Sequence, residues 1–145
     1  MADKKSAPES IGMFFAELCL TSPEDGVMSL IRIVDTVSLQ APPIEFKAGD
    51  GVQPDHLKLV SLLRSTTPIP EVGLMIVCVG PNGNSQPIGI APVTFEEFAP
   101  GQQVMAKNLV ADFTIAWDGE GLYWIELRTN DSLVARSPLT VRLTK

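Results

Sequence analysis

Gly121-Leu122-Tyr123-Trp124-Ile125-Glu126-Leu127-Arg128 is followed, after Thr129-Asn130-Asp131-Ser132, by a second alternating run over 133–143. In the first run Tyr123, Ile125 and Leu127 take every second position, and Trp124, Glu126 and Arg128 lie between them. Side chains along a strand point alternately to opposite faces, so this spacing makes one apolar and one solvated surface. The four short polar residues between the runs bond their own backbone readily, which is turn chemistry. Leu139, Val141 and Leu143 then alternate with Thr140 and Arg142. The stretch predicts the closing hairpin of an antiparallel β-sandwich.

Working back from it, Asp118-Gly119-Glu120-Gly121 is a turn, and 104–117 reads as a strand. Leu109, Ala111, Phe113, Ile115 and Trp117 fall on one side, with Asn108, Val110, Asp112 and Thr114 on the other. Thr94-Phe95-Glu96-Glu97 has capping-box form and predicts one helical turn, stopped by Pro100-Gly101. The proline-flanked segment 87–94 fits an edge strand, and Gly80-Pro81-Asn82-Gly83-Asn84 is the strongest turn signal in the chain. Residues 72–79 are apolar on both faces, which predicts a central strand or one covered on its outer side. Residues 56–64 present Leu57, Leu59 and Leu63 on one side as a strand, or Leu59, Leu62 and Leu63 as a stripe on a helix. The regular strand spacing elsewhere favours the strand.

The Pro- and Gly-rich segment 40–54 is the longest irregular connection, and such loops often carry function. Ahead of it, 27–39 reads as one long strand in which a slip near Asp35 brings Val37 and Leu39 back inward, as at a bulge or bend. Residues 13–20 form a first strand with Phe14, Ala16, Leu18 and Leu20 on one side. Residues 1–10 are polar and are expected to be a loose arm. The whole is an all-β chain: a flexible arm over 1–10, then one two-sheet antiparallel domain over 11–145 with seven or eight strands and at most one short helical turn.

Gly121-x-Tyr123-x-Ile125-x-Leu127, a polar turn and Pro138-Leu139-x-Val141 resemble the final strands of immunoglobulin-like and fibronectin-type sandwiches. From about Phe14 to Leu143 the chain is also similar to a family of small uncharacterised bacterial proteins, a domain of unknown function. The matching features are Asp25-Gly26 after an opening strand, the leucine strand 56–64, Glu71-x-Gly73 before a strand ending Pro81-Asn82-Gly83, and Asn108-Leu109 through Ile115 before Gly121-x-Tyr123. The resemblance implies a sandwich and supplies no catalytic residues. Cys19 and Cys78 are spaced like an immunoglobulin inter-sheet disulfide, but Trp117 and Trp124 both follow them rather than lying between. They are expected to be buried free thiols of a reducing compartment.

Composition narrows the function classes. A net charge of −6, with no basic run beyond Lys4-Lys5, disfavours nucleic acid. No apolar run approaches the ~20 residues of a membrane helix. The apolar patch 11–20 is interrupted by Glu17 and lacks a cleavage site, so no signal peptide is read and a cytoplasmic or virion-like setting is expected. Hydrophobic residues make up 45% of the chain and charged ones only 19%, against roughly 25% in an average domain. That surplus belongs in a generous core or under another subunit.

Candidate chemistry is thin. His56 is the only histidine and has no nucleophile arranged by sequence around it. Cys19, Cys78 and His56 lack zinc-ligand spacing, and Asp25-Gly26, Asp50-Gly51 and Asp118-Gly119 lack the oxygen ladder of a calcium loop. Glu96 and Glu97 are adjacent rather than set across a cleft. The chain is therefore expected to be non-enzymatic, with no cofactor and no metal, and to bind a protein partner, above all copies of itself. Trp124 falls on the outer face of the closing hairpin, where it either anchors a partner or is covered by the chain itself. On the strand 72–79, whichever of Leu74, Ile76 and Cys78 or Met75, Val77 and Val79 faces inward leaves the other apolar set outside; Met75, Val77, Val79 and Trp117 join Trp124 as candidate contact residues. The loops 40–54 and 80–86 are expected to tune specificity. A carbohydrate- or small-molecule-binding sandwich using the long loop with Trp117 or Trp124 is the alternative.

Overall fold

The computed structural model describes residues 7–24, 28–40, 47–52, 54, 57–96, 98–130 and 132–144. Within them eleven strands follow one another: β1 (Glu9–Thr21), β2 (Met28–Val34), β3 (Thr36–Gln40), β4 (Gly51–Val52), β5 (Lys58–Ser65), β6 (Ile69–Val79), β7 (Ser85–Phe95), β8 (Met105–Ala111), β9 (Ile115–Ala116), β10 (Gly121–Arg128) and β11 (Leu133–Thr144). They form a four-stranded sheet, β2-β1-β5-β8, a five-stranded sheet, β3-β11-β10-β6-β7, and a small ribbon, β4-β9.

The closing hairpin has the expected faces. Tyr123 lies opposite Leu139, Ile125 opposite Ser137 and Leu127 opposite Ala135, and Tyr123, Ile125, Leu127, Leu139 and Val141 are fully buried. They pack with Met13, Phe15, Leu59, Ile76, Cys78, Phe113 and Ile115 between the two sheets. A second cluster, Leu63, Ile69, Leu74, Val93 and Phe95, extends this core.

The strand count exceeds seven or eight for two local reasons. At Asp35 the long strand 27–39 does more than bulge. β2 pairs with β1, whereas β3 crosses to the other sheet and runs parallel to β11, with Val37 opposite Val141. The Asp35 carbonyl accepts from Thr140 N–H at 2.8 Å, which pins the crossover. Val37 and Leu39 do turn inward, but the sandwich is not wholly antiparallel. β3 joins the edge of that sheet beside β11 and runs in the direction of β11. Likewise 104–117 keeps its alternation, with Phe113, Ile115 and Trp117 all buried, but breaks into β8 and β9. β9 leaves the main sheet to pair with β4, part of the supposedly irregular loop.

Two further expectations are corrected. No helix occurs among the described residues, and Thr94 and Phe95 end β7 instead of opening a helical turn. Phe95 is fully buried in the second cluster, and burying so large a ring outweighs the modest preference of a capping box. Of the expected arm over 1–10, Glu9 and Ser10 belong to β1 and pair with Arg64 and Leu63, and residues 1–6 lie outside the described residues. The segment 56–64 is resolved in favour of strand, with Leu57, Leu59 and Leu63 inward; His56 lies outside the described residues.

In the five-stranded sheet β11-β10-β6-β7 has the order of the G, F, C and C′ strands of immunoglobulin-like sandwiches, and β5-β8 that of B and E. The Tyr123 hydroxyl donates to the Gly119 carbonyl at 2.6 Å and accepts from Asp118 N–H at 2.7 Å. A tyrosine at the start of the F-like strand bonding to backbone just upstream is the corner of that architecture.

Candidate interaction surface

At one end of the sandwich the turn joining β6 to β7 is tied to the turn entering β10. Gly80 N–H donates to Asn84 O at 2.8 Å, and Gly83 N–H to Gly80 O at 3.0 Å. Gly83 sits at φ 86°, a left-handed conformation open chiefly to glycine. The turn then closes on Asp118. Asn82 N–H reaches Asp118 Oδ2 at 2.9 Å, and the Asn84 amide reaches Oδ1 at 2.7 Å. The Asn82 amide bonds Asp118 O at 2.9 Å and Oδ1 at 3.3 Å.

Burial pushes the Asp118 carboxyl upward, but donors from Asn82 N–H and from the Asn84 and Asn82 amides overcome it and hold the group below its ordinary value. A lowered folded-state pKa stabilises the fold fully above the unfolded carboxyl's pKa of about 3.9. That contribution fades as the pH falls through the lower folded value. In urea titrations across that acid range the wild type therefore loses midpoint as pH drops, and Asp118→Asn shows a flatter acid limb. Burial likewise raises the nearby Cys78 thiol and Tyr123 hydroxyl above their usual ranges, against hydrogen bonds from Ala116 and Asp118 respectively. Cys19 and Cys78 are both free thiols; Cys78 is buried and Cys19 half-buried.

A cleft of about 300 Å³ opens beside this knot, lined by Ala48, Gly49, Asn84, Ser85, Gln86, Ala116, Trp117 and Asp118. It brings together the two loops that the sequence singles out. Trp117 forms its wall but belongs to the core, 9% exposed and packed with Ile115 and Val52 in the main cluster, so it offers no outward ring to a protein partner. Its backbone holds the loop, with Gly49 N–H donating to Trp117 O and Trp117 N–H to Asp50 O, both at 2.8 Å.

Trp124 does stand on the outer face of the five-stranded sheet, opposite Val79 and Pro138. It is half-buried, because the Arg136 guanidinium lies 3.7 Å from its ring centroid. Beside it Glu126 is buried and accepts from Arg128 Nε at 2.9 Å. Val77 is buried, and Met75 and Val79 are half-buried. Trp124, Met75, Val77 and Val79 thus share one face, on which Arg136 covers the Trp124 ring. Ile90, opposite Met75, is its most exposed apolar side chain.

The four-stranded sheet is more open. Phe15 faces the core opposite Val34 and Leu59, so Phe14, Ala16, Leu18 and Leu20 face outward. Ala16 lies opposite Ile33, and Phe14, Val60 and Val110 form one row across β1, β5 and β8. Ala16 and Val60 are fully buried within this row system. Ile33 is 57% exposed, Leu20 51%, Leu18 45% and Val110 42%. Lys58 pairs with Asp112, and Arg64 with Glu9 at 3.1 Å, on this face, while Arg32 pairs with Glu17 at 3.4 Å from the opposite side of β1 and β2. Sequence reasoning placed Phe14, Ala16, Leu18 and Leu20 on one side of β1 but did not mark them as surface. Met13 and Phe15 supply an equally apolar opposite side, and alternation alone does not say which side meets the second sheet.

Among the described residues no helix is long and apolar enough to cross a membrane, and no group of three or more His, Cys, Asp or Glu side chains is arranged to hold a metal ion. No family model and no curated protein matches the sequence. Among solved structures, the chain is similar to an immunoglobulin-like protein from Pseudomonas aeruginosa, at 14% identity and a TM-score of 0.38, over 96% of this chain and 99% of that one.

Proposed function

We propose that this chain is a non-enzymatic association module that binds copies of itself through the outer face of the β2-β1-β5-β8 sheet. The observation that carries this reading is the outward set of Leu18, Leu20, Ile33 and Val110 on a face where Lys58 is paired with Asp112 and Arg64 with Glu9. Fully burying a large aliphatic side chain is worth roughly 1.5–3 kcal/mol, and contiguous exposed apolar patches usually mark association. The setting we favour is a reducing one: inside a bacterial cell, as in the small uncharacterised bacterial family that the sequence resembles, or within a phage particle or similar assembly. The test is molar mass by light scattering across micromolar concentrations. Leu18→Lys combined with Ile33→Lys is expected to lower the wild-type molar mass with little change in melting temperature, whereas Trp124→Ala is expected to lower it less. A wild type that stays monomeric throughout would sink the proposal.

A second reading has its own observation. The 300 Å³ cleft beside Trp117 joins the loops around Gly49 and Gln86, and its mixed polar lining suits a small polar molecule or sugar. Trp117 would report it, so a saturable change in tryptophan fluorescence across a sugar panel, abolished by Gln86→Trp, would favour this reading.

A further inference from the structure

The two main sheets have four outermost strands, and three of them carry a feature that discourages pairing with another chain. β7 contains Pro87 and Pro92, neither with an N–H to offer. β3 is only five residues long. β2 is distorted at Arg32, whose φ of 55° is uncommon for a residue other than glycine. β8, Met105–Ala111, has none of these. It contains no proline or glycine, and its register with β5 runs without a break from Leu59↔Ala111 to Ser65↔Met105. Its single cation does not guard the edge either: Lys107 Nζ turns toward Thr94 Oγ1 at 3.3 Å and lies 5.8 Å from the Phe95 ring centroid. Among the described residues no strand occupies the position flanking β8, where immunoglobulin-type sheets of order A-B-E-D carry D beyond E.

We infer that β8 is the pairing edge, and that its occupant is β8 of a second copy, antiparallel about a two-fold axis through Asn108. This inference rests on the self-association proposed above and adds an edge-to-edge contact to the contact between outer faces. The strand's own sequence argues for a copy as partner. In that register Asn108 meets Asn108, Lys107 meets Leu109, Ala106 meets Val110 and Met105 meets Ala111, so no like charges are opposed. The alternation also matches. Ala106 and Val110 of both copies share the outer face, where the exposed Val110 side chains continue the apolar stripe from one sheet into the next. The product is a continuous eight-stranded sheet, β2-β1-β5-β8-β8-β5-β1-β2, with one shared apolar face.

Asn108 is exposed, so it can be changed without disturbing the core. Asn108→Lys and Asn108→Glu each oppose two like charges on the axis. Each variant alone is expected to fall below the wild-type molar mass in light scattering while keeping the wild-type circular dichroism and melting temperature. Mixing the two places Lys against Glu and is expected to restore the wild-type mass. If the wild type associates but both variants, alone and mixed, keep its mass, the β8 pairing is overturned while self-association through the outer face stands. The same holds if both variants lose association and the mixture fails to regain it. If the wild type is monomeric at every concentration, both ideas fall together.

Discussion

Gly80→Ala is expected to cost about 3 kcal/mol of folding stability, the upper part of the range for forcing an extra methyl into a packed site. A Cβ on Gly80 would sit 2.3 Å from Asp118 Oδ2, 2.4 Å from its Cβ and 2.7 Å from its Cγ. Asp118 cannot simply swing aside, because Asn82 N–H and the Asn82 and Asn84 amides hold its carboxylate. Moving it would leave a buried carboxylate and several donors with poorer partners, which is costly in its own right. In a thermal scan the variant should melt roughly 10 °C below the wild type. If it melts within a degree or two, the turn and Asp118 are not clamped together as described.

Tyr123 carries the second large effect, and two substitutions separate its two roles. Tyr123→Ala removes a fully buried ring between the sheets and should cost about 4 kcal/mol, in line with other large-to-small aromatic truncations. Tyr123→Phe keeps the ring and deletes only the hydroxyl. Asp118 N–H then loses its acceptor and Gly119 O its donor, for a cost of about 1–2 kcal/mol. Urea unfolding with an unchanged slope measures both. Equal losses for the two variants would mean that the hydroxyl, not the ring, supplies the stability. A Phe variant as stable as wild type would mean that the corner bonds contribute nothing net.

Much of the architecture was legible in the alternation. The faces of β10, β11 and β5, the inward series from Leu109 to Trp117, and the turn at Gly80-Pro81-Asn82-Gly83 all follow from rules acting over a few residues. β6 is an interior strand and β7 an outermost one, as a doubly apolar run and a proline-flanked run imply. The helical turn at Thr94 failed because a local capping signal competes poorly with burial of Phe95, a contact made to residues far away in sequence. The surroundings of the candidate contact residues were less legible. Trp117 looked like a contact residue by type, yet the core claims it. Trp124 was expected either to anchor a partner or to be covered by the chain itself, and the group over its ring is Arg136, twelve positions along the chain, which the hairpin register sets across from Glu126.

By itself the sequence determined that this chain is built of strands, where most of them turn, and which side chains share a face, because side-chain direction repeats every two residues whatever the surroundings. Only the tertiary structure decided which of two apolar faces of β1 is sealed, that the chain changes sheets at Asp35, and that β8 is the last strand of its sheet among the described residues. Those outcomes depend on which distant strand lies alongside, and strand pairing is chosen by packing over the whole domain rather than by any single stretch.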